Sequence, residues 1–244
     1  MEIWSTRRDE STLRPIAHMS QLQFLEIVGD GDEHEHDFTV PARASIPLGS
    51  LSQLRSLNIG TSFYPFCMRE EDPEEYGSFH PDDKFSVADA SDMFSGLSAL
   101  EHLSINAHQG IDNSSDHIWE SISKFCPKLS SLDFVGKLDL WDFVTPNAPV
   151  IMNVTDITIE AIEVTDPVIE EMRVTGVALE RVKTRRAISQ AVRIIDNFAP
   201  KLQRLRCTGR CSLSKQICDT WAEFRNTQNF FKHKGRSRAR ELFL

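Results

Sequence analysis

Three parts of the sequence hold residue types that could do chemistry. The stretch Asp30-Gly-Asp-Glu-His34-Glu-His36-Asp37 sets two imidazoles among five carboxylates, a donor set suited to zinc or nickel. It lacks the ligand order of an EF-hand, and nothing around it orients the donors, so a solvated acidic loop is expected rather than a metal site. Cys207, Cys211 and Cys218 with His233 form a second conceivable ligand set. Cys207, however, takes an apolar slot in a recurring frame and Cys218 borders an apolar stripe at Ile217, so burial accounts for both. The third candidate is the scatter of eight histidines among serines and acids. None sits in a GxSxG turn, an HExxH helix or a glycine-rich phosphate loop, so no enzymatic activity and no cofactor are expected.

The elements that would carry any site announce themselves through a repeat. "MSQLQFLEI" (Met19 to Ile27), "LSQLRSLNI" (Leu51 to Ile59), "LSALEHLSI" (Leu97 to Ile105), "CPKLSSLDF" (Cys126 to Phe134) and "APKLQRLRC" (Ala199 to Cys207) share one frame. An apolar residue is followed by another three later, a third after three more, and a last one two further on. Weaker copies run through Val154, Ile157 and Ile159 and through Leu179 and Val182. The anchors at 22, 54, 100, 129, 154, 179 and 202 lie 32, 46, 29, 25, 25 and 23 residues apart. The last four intervals lie in or at the edge of the range of leucine-rich repeats.

The final two apolar residues of each frame alternate as in a strand with one buried face, while the earlier ones lie on the incoming turn. Stacked copies therefore predict strands side by side in a parallel sheet, with return segments on the other layer. Helical stripes supply those returns: Ile118, Ile122 and Phe125; Ile188, Val192, Ile195 and Phe198; and Ile217, Trp221 and Phe224. Asp166-Pro167, followed by Val168, Ile169 and Met172, reads as a further helix start.

The predicted fold class is thus α/β, an irregular leucine-rich-repeat solenoid with a curved parallel sheet and helices on its convex side. The expected organisation is a lead-in over residues 1–15, the solenoid over 16–225 and a basic tail over 226–244. Acidic insertions are expected near 29–47 and 61–90. Alternation places Gln53, Arg55, Ser56, Asn58, Glu101, His102, Ser104, Ser130, Ser131, Asp133, Gln203, Arg204 and Arg206 outward. Among these, Arg55, Asn58, His102, Ser104, Ser131, Asp133, Arg204 and Arg206 are the candidate partner-binding residues.

Composition narrows the function further. The formal charge of -9 is uneven: residues 1–120 hold 22 acidic and 7 basic side chains, residues 121–244 hold 14 and 20. The two ends should attract different partners. No apolar run spans a bilayer, so no membrane is expected. Met1 to Arg14 lacks a secretory signal, which predicts a cytoplasmic or nuclear location and reduced cysteines. The tail "KHKGRSRAR", Lys232 to Arg240, reads as a solvated end beside Phe230 and Phe231.

"CPKLSSLDF", preceded by the helix "DHIWESISKF", resembles the helix-to-strand junction in the leucine-rich repeats of F-box proteins. The irregular spacing and the "LSQLRSLNI" and "APKLQRLRC" variants are especially similar to fungal F-box-like proteins. The resemblance, over roughly residues 16 to 225, implies repeats that hold a protein substrate or scaffold partner, as in a ubiquitin-ligase receptor. It implies docking on the Skp1 adaptor only with an F-box upstream of this chain, because no three-helix F-box fits ahead of the first frame at about Ile16. A nucleic-acid-associated or nuclear scaffold role, using Lys183, Arg185, Arg186 and the tail, is the alternative; the net charge and the lack of a nucleic-acid module disfavour it.

Overall fold

A leucine, two polar residues and a second leucine are what a tight turn needs when both its ends face one core. In the computed structural model six of the seven frames begin with such a turn. The amide of the anchor donates to the carbonyl three residues earlier: Leu22 to Met19, Leu54 to Leu51, Leu100 to Leu97, Leu129 to Cys126, Val154 to Ile151 and Leu202 to Ala199. The three-residue spacing is a turn closed by a hydrogen bond, and the two-residue spacing that ends the frame is the strand it feeds.

The structure describes residues 2–4, 15–28, 39–40, 48–63, 87–107, 116–144, 149–163 and 177–233. Its strands are β1 (Glu2–Trp4), β2 (Phe24–Val28), β3 (Thr39–Val40), β4 (Ser56–Phe63), β5 (His102–Ala107), β6 (Ser131–Asp139), β7 (Asp156–Glu163) and β8 (Arg204–Cys207). Its α-helices are α1 (Val87–Ser95), α2 (Asp116–Phe125), α3 (Val177–Phe198) and α4 (Ser212–His233). The strands form one open sheet in the order β1-β2-β4-β5-β6-β7-β8, with β3 beside β4, and all pairs are parallel. Parallel neighbours need a crossover, and α1, α2 and α3 provide it before β5, β6 and β8.

Register follows the frames. Leu25, Leu57, Leu103, Leu132, Ile157 and Leu205 form one row across the sheet, and Ile27, Ile59, Ile105, Phe134, Ile159 and Cys207 form the next inward row. Every member of both rows from β2 to β7 is buried, at 3% exposure or less. Each such side chain contributes roughly 1.5–3 kcal/mol on leaving water. A slip by one residue would turn both rows into solvent, which is why the register is held.

Helix faces complete the core. Ile118 and Ile122 of α2, Val192, Ile195 and Phe198 of α3, and Ile217 and Trp221 of α4 are buried, with Phe125, Ile188 and Phe224 half-buried at the margins. Trp119 gathers the layers: its ring lies 5.8 Å from Phe134, 5.9 Å from Phe143 and 5.7 Å from Phe198. Two glycines allow neighbouring turns to touch. A Cβ on Gly96 would stand 1.5 Å from the Gly49 carbonyl oxygen, and one on Gly49 would stand 2.1 Å from that of Asp92. Gly136, at φ 142°, sits where the pairing of β6 with β7 shifts register.

Several expectations change. The frame at Leu179 and Val182 is not a strand: both residues lie in α3. Three-residue spacing also fits a helix, and Thr184 stands where the frame needs a last apolar residue. The lead-in holds β1, because Glu2–Trp4 extends the sheet beside β2. The boundary placed at 225 falls inside α4, which runs to His233, ahead of the first breaker at Gly235. Described elements fall inside both expected insertion spans. β3 pairs with β4 from within 29–47, while β4 extends to Phe63 and α1 begins at Val87, both within 61–90. The acidic loop Asp30–Asp37 and the helix start at Asp166-Pro167 lie outside the described residues. Among the described residues no helix is long and apolar enough to cross a membrane.

Candidate interaction surface

Alternation leaves one sheet face to polar side chains. Its first outward row reads Phe24, Ser56, His102, Ser131, Asp156 and Arg204 from β2 to β8, and its second reads Glu26, Asn58, Ser104, Asp133, Thr158 and Arg206. His102, Asp133, Arg204 and Arg206 are exposed, while Asn58, Ser104 and Ser131 are half-buried. Arg55 is exposed one residue before β4. The structure thus places all eight candidate residues on or at the edge of one face. Gln53 stands apart, in the turn between Leu51 and Leu54.

Where the face begins, main-chain hydrogen bonds form a chain of their own. The carbonyls of Gln23, Arg55, Glu101, Ser130 and Thr155 each accept two successive amides from the next frame, for example those of Arg55 and Ser56 on Gln23. Side chains line this edge: the Ser130 hydroxyl donates to the Glu101 carbonyl at 3.0 Å, and the Thr155 hydroxyl oxygen lies 3.2 Å from the Ser130 carbonyl.

Charges on the face are largely matched between adjacent strands. Asn58 donates to Glu26 at 2.6 Å, and Arg55 lies 3.9 Å from Glu101. Arg204 is bonded to Asp156, which also accepts from the Thr155 hydroxyl at 2.8 Å. The bond from Arg204 holds the Asp156 carboxyl below the usual carboxylate range. These pairs are solvent-exposed and contribute little to stability, so their main effect is to set the order of charges that an approaching molecule meets.

Glu26, Asp156 and Thr158 belong to this surface as much as the anticipated residues do. They occupy the same slots of recognised frames, so alternation applied to Met19–Ile27 and Val154–Ile159 would have found them. Phe24 was also missed; it is 59% exposed at the β2 end of the first row.

The cysteines are divided by packing. Cys207 occupies the inward row and donates to the Glu160 carbonyl at 3.2 Å, Cys211 is exposed, and Cys126 and Cys218 are buried. Burial pushes both of the last two thiols up to about 12, so neither is a reactive thiolate near neutral pH. No family model matches this chain, and no curated protein matches it in sequence.

Proposed function

We propose that the chain is an irregular leucine-rich-repeat solenoid acting as a non-catalytic binding module, whose polar sheet face holds a protein partner. The observation that carries this reading is the pair of outward rows, which continue in register over six parallel strands while the apolar residues between them are buried from β2 to β7. Rigid strands hold the side chains of such a face in fixed places, so little freedom is lost on binding. The resemblance of "CPKLSSLDF" and its helix to F-box repeats makes substrate recognition within a ubiquitin ligase the particular form of the role to test.

The test compares two variants. Replacing Arg55, His102 and Arg204 together by alanine removes three exposed groups in or beside strands β4, β5 and β8, and is expected to abolish recovery of the partner. Deleting Glu70 to Tyr76 is expected to leave both fold and recovery intact. Partner recovery by the triple variant, with loss in the deletion, would move binding to the insertions and end the sheet-face reading. Nuclease-sensitive recovery would favour the nucleic-acid alternative.

A further inference from the structure

The sheet stops at β8, but the crossover pattern does not. α3 carries the chain from β7 to β8; α4 then leaves β8, packs against α3 and β8, and is held there like any other crossover. At its start the buried Ser214 hydroxyl accepts from the Ile162 amide at 2.9 Å and donates to the Ile162 carbonyl at 3.2 Å. Farther along, Arg225 donates to the carbonyls of Pro200 and Leu202 at 2.7 and 3.1 Å and pairs with Asp196 at 3.0 Å. Among the described residues no strand follows on the outer side of β8. Gln203, the next carbonyl in the series that receives paired amides, accepts no main-chain donor from the described residues.

The core shows the same incompleteness. Leu205 and Cys207 are only half-buried, whereas their counterparts in β2 to β7 are all buried. This end is therefore a parallel sheet edge with a partly open apolar row and a helix already in the position that flanks the next strand.

We infer that this edge takes β1 of a second copy of the chain, joining molecules head to tail in one continuous parallel sheet. The sheet's own register decides for this occupant. Glu2 is level with Glu26 and Ile3 with Ile27, so carrying the same rows onto β8 sets Glu2 beside Arg206 and Ile3 beside Cys207. The first pairing sets an acidic position level with a basic one at a spacing of roughly 4.8 Å between strands, and the second sets an apolar position level with Cys207. Long-range charge acts the same way. Residues 177–244 hold 16 basic and 5 acidic side chains, a formal +11, whereas residues 1–176 carry -20. The two parts of the chain thus carry opposite net charge, which favours a heterologous contact that builds chains or rings.

Sedimentation velocity of the full chain over a range of concentrations, at low and high salt, tests this. Mass that increases with concentration and falls with added salt is expected. Arg206→Glu and, separately, Glu2→Arg each lower the association constant by about tenfold by setting like charges side by side. Mixing the two single variants restores association between unlike chains, and circular dichroism checks that each remains folded. A chain that stays monomeric at low salt overturns the inference, as does association that neither reversal weakens or that the mixture fails to restore.

Discussion

Leu132 and Asp133 are adjacent in sequence and opposite in environment, which makes them the sharpest test of the architecture. Leu132 lies between Leu103 and Ile157 in its row at 1% exposure; Asp133 is exposed on the other face. Leu132→Ala removes three buried carbon groups at about 0.8 kcal/mol each and leaves a cavity that parallel neighbours can fill only in part, so the cost should be about 3 kcal/mol. For a chain of this size that lowers the thermal midpoint by about 6–12 °C. Leu132→Asp adds a charge with no partner among leucines and should cost more than ~3 kcal/mol, enough to unfold much of the stack. Asp133→Ala should stay within about 0.5 kcal/mol. Urea unfolding followed by circular dichroism, with tryptophan fluorescence as a second probe, measures all three. Equal costs at the two positions, or an unchanged midpoint for Leu132→Ala, would refute the alternation from which both faces are derived.

Gly96→Ala drives a methyl group into the Gly49 carbonyl, and overpacking against backbone predicts a loss of about 1–3 kcal/mol in the same assay. Alkylation of the folded chain at pH 8 should label Cys211 and spare Cys126 and Cys218 until denaturant is added; mass mapping of labelled peptides decides, and early labelling of Cys126 would contradict its burial. The Asp156 carboxyl has its folded value below its unfolded one, so its small contribution is complete above the ordinary carboxylate range near pH ~4 and is lost as the pH falls through the folded value. Carboxyl titration by NMR should show Arg204→Met moving Asp156 upward, and no movement would mean that the pair does not form in solution.

Local spacing made much of this fold readable. A turn closed over three residues and a strand of period two are both short-range patterns, so the frames at Leu22, Leu54, Leu100, Leu129, Val154 and Leu202 each mark a strand without reference to the rest of the chain. The stripe through Val192, Ile195 and Phe198 marked α3 for the same reason. The outward residues were readable as a set, because alternation assigns a face to each. α1 escaped notice beside an acidic stretch, and β1 is too short to carry a period.

Partnership across the sheet is a different kind of information. Leu179 and Val182 satisfy the beginning of a frame and the spacing of a helix equally well, and only the tertiary structure assigns them to α3. The choice fixes the surface. Had Leu179–Thr184 formed a strand, it would have stood between β7 and β8 and held Asp156 and Arg204 roughly 10 Å apart, too far to pair. Sequence alone determined which residues face outward, because that depends on the parity of a short stretch. Tertiary structure decided which outward residues meet, since Asp156 and Arg204 are 48 positions apart and become neighbours only because the chain between them crosses over as a single helix-bearing segment.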